Sequence, residues 1–495
     1  MLNPRFLNVL VAALGLSLTS LSASAASTDT RPNIVLIVTD DQGYGDCSIY
    51  GQTDLQTPFM DQIARNGVRF TQFRVAPLCA PTRASLMTGL DSLATGMWRG
   101  PGESARGEPP AGGWADDERR VKDDIVMLPQ ILKQRGYTTG IFGKWHLGYD
   151  NKNVPNARGF DEFVGFLSGA HPYWLHTNSR VEENGKSLKF DGHATDLFAD
   201  RAIQFIKANK DKPFFCYLPF NAVHGPLRNA GREADSAKPE WLAHYEKLGV
   251  AQPRRDYNAV MSHADARIGD VLKTLRELGL DRNTLVVCFS DNGGILHTFP
   301  ANNGPLRGGK GDTYEGGIRV PAMMQWPGKI PAGLVSNASA AHFDVFATII
   351  EAAGAPVPKT NGRHAVQGVS LLPHFSSTGQ TPLPDRYLFW DLYGDCGALH
   401  GKWKLVGQIE NHNGDFRRAV ADAGQKQFEL YNLDEDIGEK HDLAKKHPEI
   451  YADLKRRHLD WLKQFTSENP APKDRRDPGE RADRKAKKKA KSPQP

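Results

Sequence analysis

Several short stretches of this chain place reactive residue types at informative spacings. Cys79-Ala80-Pro81-Thr82-Arg83 is followed by Thr88-Gly89, giving the pattern C-x-P-x-R-x-x-x-x-T-G. The first five positions alone would match too often by chance, but the eleven-residue pattern is specific. Two oxygen-bearing pairs, Asp40-Asp41 and Asp291-Asn292, each close an apolar run. They supply only hard oxygens, a donor set that suits calcium or magnesium rather than zinc. Either pair alone reads as a turn or a helix cap. Two such pairs beside the cysteine pattern argue for one shared site. Cationic and proton-carrying groups accompany them: Arg83, Lys144 and His146 in GKWHLG, His224 in NAVHGP, and Lys310 in LRGGKG. Taken singly, a lysine is ordinarily a solvated charge and a histidine a hydrogen-bonded structural residue.

What lifts these residues above that reading is the elements that must position them. Residues 33–39, NIVLIVT, form a continuous β-branched run, the signature of a strand buried on both faces. Residues 138–142, 213–218 and 285–290 are similar runs, and helical patterns lie at 194–207, 257–278 and 343–353. Alternating strands and helices predict a large, mostly parallel sheet flanked by helices on both faces. Ligands of such sheets bind beyond the carboxyl ends of the strands. Asp40 and Asp41, Lys144 and His146, His224, and Asp291 and Asn292 all follow predicted strands, so they should meet at one edge. Lys310 sits in a Gly-rich loop, a weaker signal. A helix is expected to begin near Pro81.

After about residue 373 the pattern changes. Residues 374–385 read as a Ser/Thr/Pro-rich linker, and 386–390, 403–406 and 428–431 as strands of a smaller antiparallel sheet closed by a helix at 448–465. The expected division is a signal peptide at 1–25, a catalytic domain at 30–373, a C-terminal subdomain at 386–465 and a disordered basic tail at 466–495.

On these residues the chain resembles the sulfatases of the alkaline phosphatase superfamily, from about residue 31 to 443. The cysteine pattern is similar to the family's signal for oxidation of that cysteine to formylglycine. Asp40-Asp41-Gln42-Gly43 and Ser290-Asp291-Asn292-Gly293 resemble its two metal-binding strand ends, GKWHLG its catalytic lysine–histidine segment, and FELY at 428–431 its C-terminal segment. Where the family has a D-P-x-E-like turn, this chain reads DEDIGE at 434–439. The resemblance implies an alkaline-phosphatase-like fold and hydrolysis of sulfate esters. It implies calcium, with magnesium less favoured, held by Asp40, Asp41, Asp291, Asn292 and modified residue 79. It also implies a maturation enzyme that generates the formylglycine. In the implied mechanism the hydrated aldehyde attacks sulfur and Asp291 accepts the attacking hydroxyl's proton. Arg83 holds the diol, Lys144 and Lys310 grip sulfate oxygens, and His224 or Lys310 protonates the leaving alcohol. His146 deprotonates the second hydroxyl and so expels sulfate.

The aromatic, polar stretch 171–180 offers Tyr173 and Trp174 to stack on a sugar ring, with His171 or Arg228 as contacts to hydroxyls or anionic groups. It reads equally well as a packed surface loop. Two other functions stand beside sulfate hydrolysis: a phosphonate or phosphodiester hydrolase of the same superfamily, and a non-catalytic binder of sulfated glycan with an unmodified Cys79.

Composition sets the remaining bounds. The chain has 495 residues, 39% hydrophobic and 24% charged, enough for a large core and two packed units. Its net charge of +5 is concentrated in the stretch 481–491, which holds seven Lys or Arg and one Asp. The body is then near neutral, without a nucleic-acid footprint. That tail reads as a solvated terminus or as a means of attracting a polyanionic substrate. The apolar stretch at 9–21 and Ala23-Ser24-Ala25 predict export to the periplasm or extracellular space. With no further long apolar run, no membrane span is expected. Five scattered cysteines suggest neither a disulfide scaffold nor zinc, and Cys216 and Cys288 are expected in the core.

Overall fold

The computed structural model describes residues 31–100, 120–177, 179–225, 227, 236–296, 300–409 and 416–466. The expected signal peptide and the basic tail lie outside these residues. The apolar runs become the middle of a ten-stranded sheet. Its five central strands are parallel, in the spatial order Thr284–Ser290, Asn33–Thr39, Phe214–Pro219, Thr138–Lys144 and Glu162–Phe166. Asn33–Thr39, Phe214–Pro219 and Thr284–Ser290 are buried along their whole length, which is why their sequences do not alternate. Beyond Thr284–Ser290 the strand Ala322–Gln325 runs antiparallel, so the sheet is mixed at its margin.

Helices cover both faces. One apolar core holds the helices Cys79–Thr88 and His342–Ala352, and the other holds Ala194–Ala208 and Arg254–Glu277. None of the described helices is long and apolar enough to cross a membrane. All five cysteines are buried and none is disulfide-bonded, Cys216 and Cys288 lying in the second core.

The C-terminal part is a four-stranded antiparallel sheet, Tyr387–Leu392, Asp395–His400, Trp403–Gln408 and Glu429–Asn432, with the helix Pro448–Lys463 against it. Residues 374–385 are less loose than a linker should be. They continue the short helix Leu372–Ser376, whose His374 is buried with Nε2 2.8 Å from the Ser336 hydroxyl.

A fully buried ion network ties the two parts together. Glu315 accepts from Arg74 at 2.7 Å and from Lys404 at 3.1 Å, while a Glu439 carboxylate oxygen accepts from the Glu315 backbone N–H at 2.7 Å. Glu439 belongs to the unusual DEDIGE turn, so that turn docks the subdomain. Removing one member of a buried network strands charge. Lys404→Met should therefore lower unfolding free energy by about 3 kcal/mol. Denaturant unfolding checks this, and an unchanged midpoint would show that the network does not hold the subdomain.

Candidate active site

Strand register builds the site. Thr39 pairs with Ser290, so the next residues, Asp40 and Asp291, emerge side by side. The neighbouring strand ends at Pro219, and the chain then crosses the same edge, with the Asp40 N–H on the Ala222 carbonyl at 2.8 Å. The strand Thr138–Lys144 brings Lys144 and His146 to that edge. Asp41 and His146 adopt left-handed backbone, φ 64° and 60°, a conformation unfavourable outside glycine and frequent at functional sites. The loop after Asp41 is pinned through Asp46, whose carboxylate accepts from the Asn302 N–H and the Tyr257 hydroxyl and pairs with Arg254. At Gly43 a Cβ would stand 2.3 Å from the Asn302 carbonyl oxygen, so only glycine permits that approach.

The cysteine pattern is the helix Cys79–Thr88. It starts two residues before the expected Pro81, because Leu78 is still extended. Gly89 ends it at φ 71°, where a Cβ would collide with the Phe346 ring. Arg83, one turn in, is fully buried. Its Nε and Nη2 donate to Asp291 Oδ2 at 2.9 and 2.8 Å, and its Nη1 to the Lys144 carbonyl at 3.0 Å. One guanidinium thus links the nucleophile helix to two strand ends.

Around Cys79 the charges alternate. Lys144 Nζ lies 2.7 Å from Asp40 Oδ2, and Lys310 Nζ lies 2.6 Å from Asp41 Oδ1. His224 Nε2 stands 3.7 Å from Asp41 Oδ2, and His146 Nδ1 3.3 Å from Cys79 Sγ. Burial would push the Cys79 thiol up, but Lys144, His146 and Lys310 outweigh it and hold the thiol well below its ordinary range. Burial, reinforced by Lys310, pushes His224 down to about 4.

The donor set fits a hard divalent cation. Asp40 Oδ1, Asp41 Oδ2 and Asn292 Oδ1 are buried without a hydrogen-bond partner, an expensive arrangement unless something else satisfies them. Ligand atoms of Asp40, Cys79 and Asp291 lie within 4.8 Å of one another, as do those of Asp40, Asp41 and His224. Oxygen predominates among these groups, as calcium and magnesium prefer. The carboxylates Asp40, Asp41 and Asp291 balance the cations Arg83, Lys144 and Lys310, so a divalent ion would leave the pocket net cationic.

The substrate-contact expectations fare differently. Tyr173 is not available for stacking. It is buried, with its hydroxyl 2.9 Å from the Asn221 carbonyl and 3.0 Å from that of His224, so it supports the His224 loop from behind. Trp174 sets its ring edge-on to His193 at 5.1 Å. His171 packs on Phe166 at 4.9 Å and receives the Asn221 amide on its carbonyl, which keeps it close to the His224 loop. Arg228 lies outside the described residues. Sequence reasoning missed Tyr217, buried in the electrostatic field of Arg83 and Asp291. In FFCYLPF it looks like any core residue.

This geometry defines a buried site of paired charges and unsatisfied oxygens at the carboxyl edge of an α/β sheet. Residues 32–355 match the Sulfatase family model, and residues 310–464 match the model described as N-sulphoglucosamine sulphohydrolase, C-terminal. The chain is 34% identical over 399 residues to N-acetylgalactosamine-6-sulfatase of Canis lupus familiaris, covering 76% of this chain and 71% of that protein. It is 31% identical over 482 residues to arylsulfatase A of Homo sapiens, covering 86% and 87%. Among solved structures, Ps i-CgsB in complex with k-i-k-neocarrahexaose superposes with a TM-score of 0.75 at 30% identity, covering 93% and 98%. The chain belongs to the sulfatase family. It is accordingly a sulfuric ester hydrolase with the alkaline-phosphatase-like fold.

Proposed function

We propose that this enzyme removes sulfate from a sulfated carbohydrate, using a formylglycine made from Cys79 by a maturation enzyme and a calcium ion. The observation that carries the reading is the buried cradle around residue 79: three cations, three carboxylates and the orphaned oxygens of Asp40, Asp41 and Asn292. The carbohydrate class is supported by relatives named for N-acetylgalactosamine-6-sulfate and by the neocarrahexaose complex. The expected signal peptide fits export to the periplasm or beyond.

A sulfate ester presents negative oxygens around an electrophilic sulfur. Lys144 and Lys310 offer ammonium groups already desolvated and fixed by Asp40 and Asp41, so gripping those oxygens needs little reorganisation. A calcium ion held by Asp40, Asp41, Asp291 and Asn292 would supply fixed positive charge against the same oxygens and Lewis acidity beside residue 79. An aldehyde at residue 79 hydrates to a geminal diol, one hydroxyl serving as nucleophile and the other as the means of release. Arg83 holds Asp291 beside residue 79, where that carboxylate can take the first proton. His146, 3.3 Å from the Sγ that marks the reacting position, takes the second. His224 and Lys310 both face Asp41, and one of them protonates the leaving alcohol.

The test is sulfate release across a panel of defined sulfated oligosaccharides, with an aryl sulfate and a phosphate diester alongside. The reading expects turnover of at least one saccharide and little of the diester; preference for the diester would overturn it. The same panel identifies the leaving-group acid. His224→Ala and Lys310→Ala should each lose about 10²-fold on a sugar sulfate. An activated aryl sulfate leaves without a proton, so the acid's variant alone should lose much less there.

Metal removal is a separate prediction. Chelation should cost activity, and calcium should restore it better than zinc, because the orphaned donors are hard oxygens. Undiminished turnover by protein shown to be metal-free by elemental analysis would count against it.

A further inference from the structure

The strands Tyr387–Leu392 and Asp395–His400 are joined by only Tyr393 and Gly394, with Leu392 paired to Asp395. Both turn residues have positive φ, 54° and 108°, as in a type I′ turn. That turn favours Asn, Asp or Gly at its first position, and a tyrosine there is held against its backbone preference. Tyr393 is 39% exposed, and it is the one aromatic among the exposed large hydrophobic side chains of the described residues. Strain retained under an exposed aromatic is an observation from which a function can be argued.

Two contacts tie this turn to segments that lead toward the catalytic site. On one side the Tyr393 ring meets Trp98 edge-on, with centroids 6.0 Å apart. Trp98 lies two residues before Gly100, where a Cβ would stand 3.2 Å from His146 Nε2. On the other side the carbonyl of Cys396, just past the turn, accepts from the Thr313 hydroxyl at 3.0 Å, and Thr313 follows Lys310 by three residues. The turn is thus flanked by the segments that reach His146 and Lys310. Arg99 lies between Trp98 and Gly100, its guanidinium 4.4 Å over the Trp98 ring.

We propose that Tyr393 forms an aromatic binding subsite at the mouth of the catalytic site, stacking on a pyranose ring next to the sulfated sugar. An exposed ring offers the apolar C–H face of a sugar a large, rigid contact at low entropic cost. The inference rests on the sulfated-carbohydrate reading above.

The test uses Tyr393→Asn, which gives the turn a residue it prefers and should leave the melting temperature equal or higher. Substrates are a small aryl sulfate and the sulfated hexasaccharides of carrageenan, chondroitin and heparin. For the hexasaccharide desulfated fastest by the unaltered enzyme, KM should rise about threefold to tenfold, the range typical of a lost aromatic contact. The aryl sulfate constants should not change, and Tyr393→Trp should keep the hexasaccharide KM low. An unchanged hexasaccharide KM in Tyr393→Asn, or an equal loss on both substrates, overturns the subsite and leaves the sulfatase reading standing. Failure of the unaltered enzyme to desulfate any of these hexasaccharides also overturns the subsite, while the sulfated-carbohydrate reading is decided by the wider saccharide panel.

Discussion

Cys79→Ala should abolish turnover, with kcat falling roughly 10⁶-fold, the scale seen when an enzyme loses its nucleophile. The side chain is small and buried at the first turn of the helix Cys79–Thr88. Its loss leaves the Arg83–Asp291 contact and both lysine–carboxylate pairs in place, so thermal unfolding should scarcely move. Cys79→Ser separates attack from release. A serine hydroxyl can displace the alcohol from sulfur, but it has no second hydroxyl to expel sulfate. That variant should accumulate enzyme sulfated at residue 79, readable as one added sulfuryl group in the intact mass. Near-normal activity of the alanine variant would rule out the mechanism.

Arg83→Leu should damage both activity and fold. The guanidinium is completely buried, and it is the direct partner of Asp291 through two hydrogen bonds. Without it a carboxylate stays buried and uncompensated, at a cost of about 3–5 kcal/mol. Asp40, which lies 3.8 Å from the same guanidinium, would lose part of its compensation as well. Arg83→Lys should not rescue, because one ammonium cannot span Asp291 and the Lys144 carbonyl with the geometry of a planar fork. Denaturant unfolding and kcat together decide this. A stable, active lysine variant would show that charge alone suffices at that position.

Much of the architecture was legible because chemistry and topology coincide in this fold. Runs such as NIVLIVT and LVVCFS have no alternation, which is the mark of doubly buried parallel strands, and the oxygen-bearing pairs sit where those runs stop. What stayed hidden depends on long-range contacts. The strand Asp395–His400, DCGALH, has almost no β-forming residues and exists because it is paired on both sides. The helix Phe416–Gln425 was likewise missed. Tyr173 could not be decided from sequence because an aromatic in a polar loop looks the same whether it faces a ligand or props a backbone. Nothing local marks Lys404 or Glu439 as a buried network, since their partners lie about 90 and 120 residues away. The helix start at Cys79 rather than near Pro81 follows from where the preceding chain stops being extended, a tertiary outcome.

The central claim is that residue 79 acts as an aldehyde within the cradle of Asp40, Asp41, Lys144, Asp291 and Lys310. The most direct test is the mass of the peptide containing residue 79, taken from preparations whose sulfatase turnover has been measured. The account predicts the mass of formylglycine in place of cysteine, with the modified fraction tracking kcat across preparations. A fully active preparation carrying only unmodified Cys79 would contradict it.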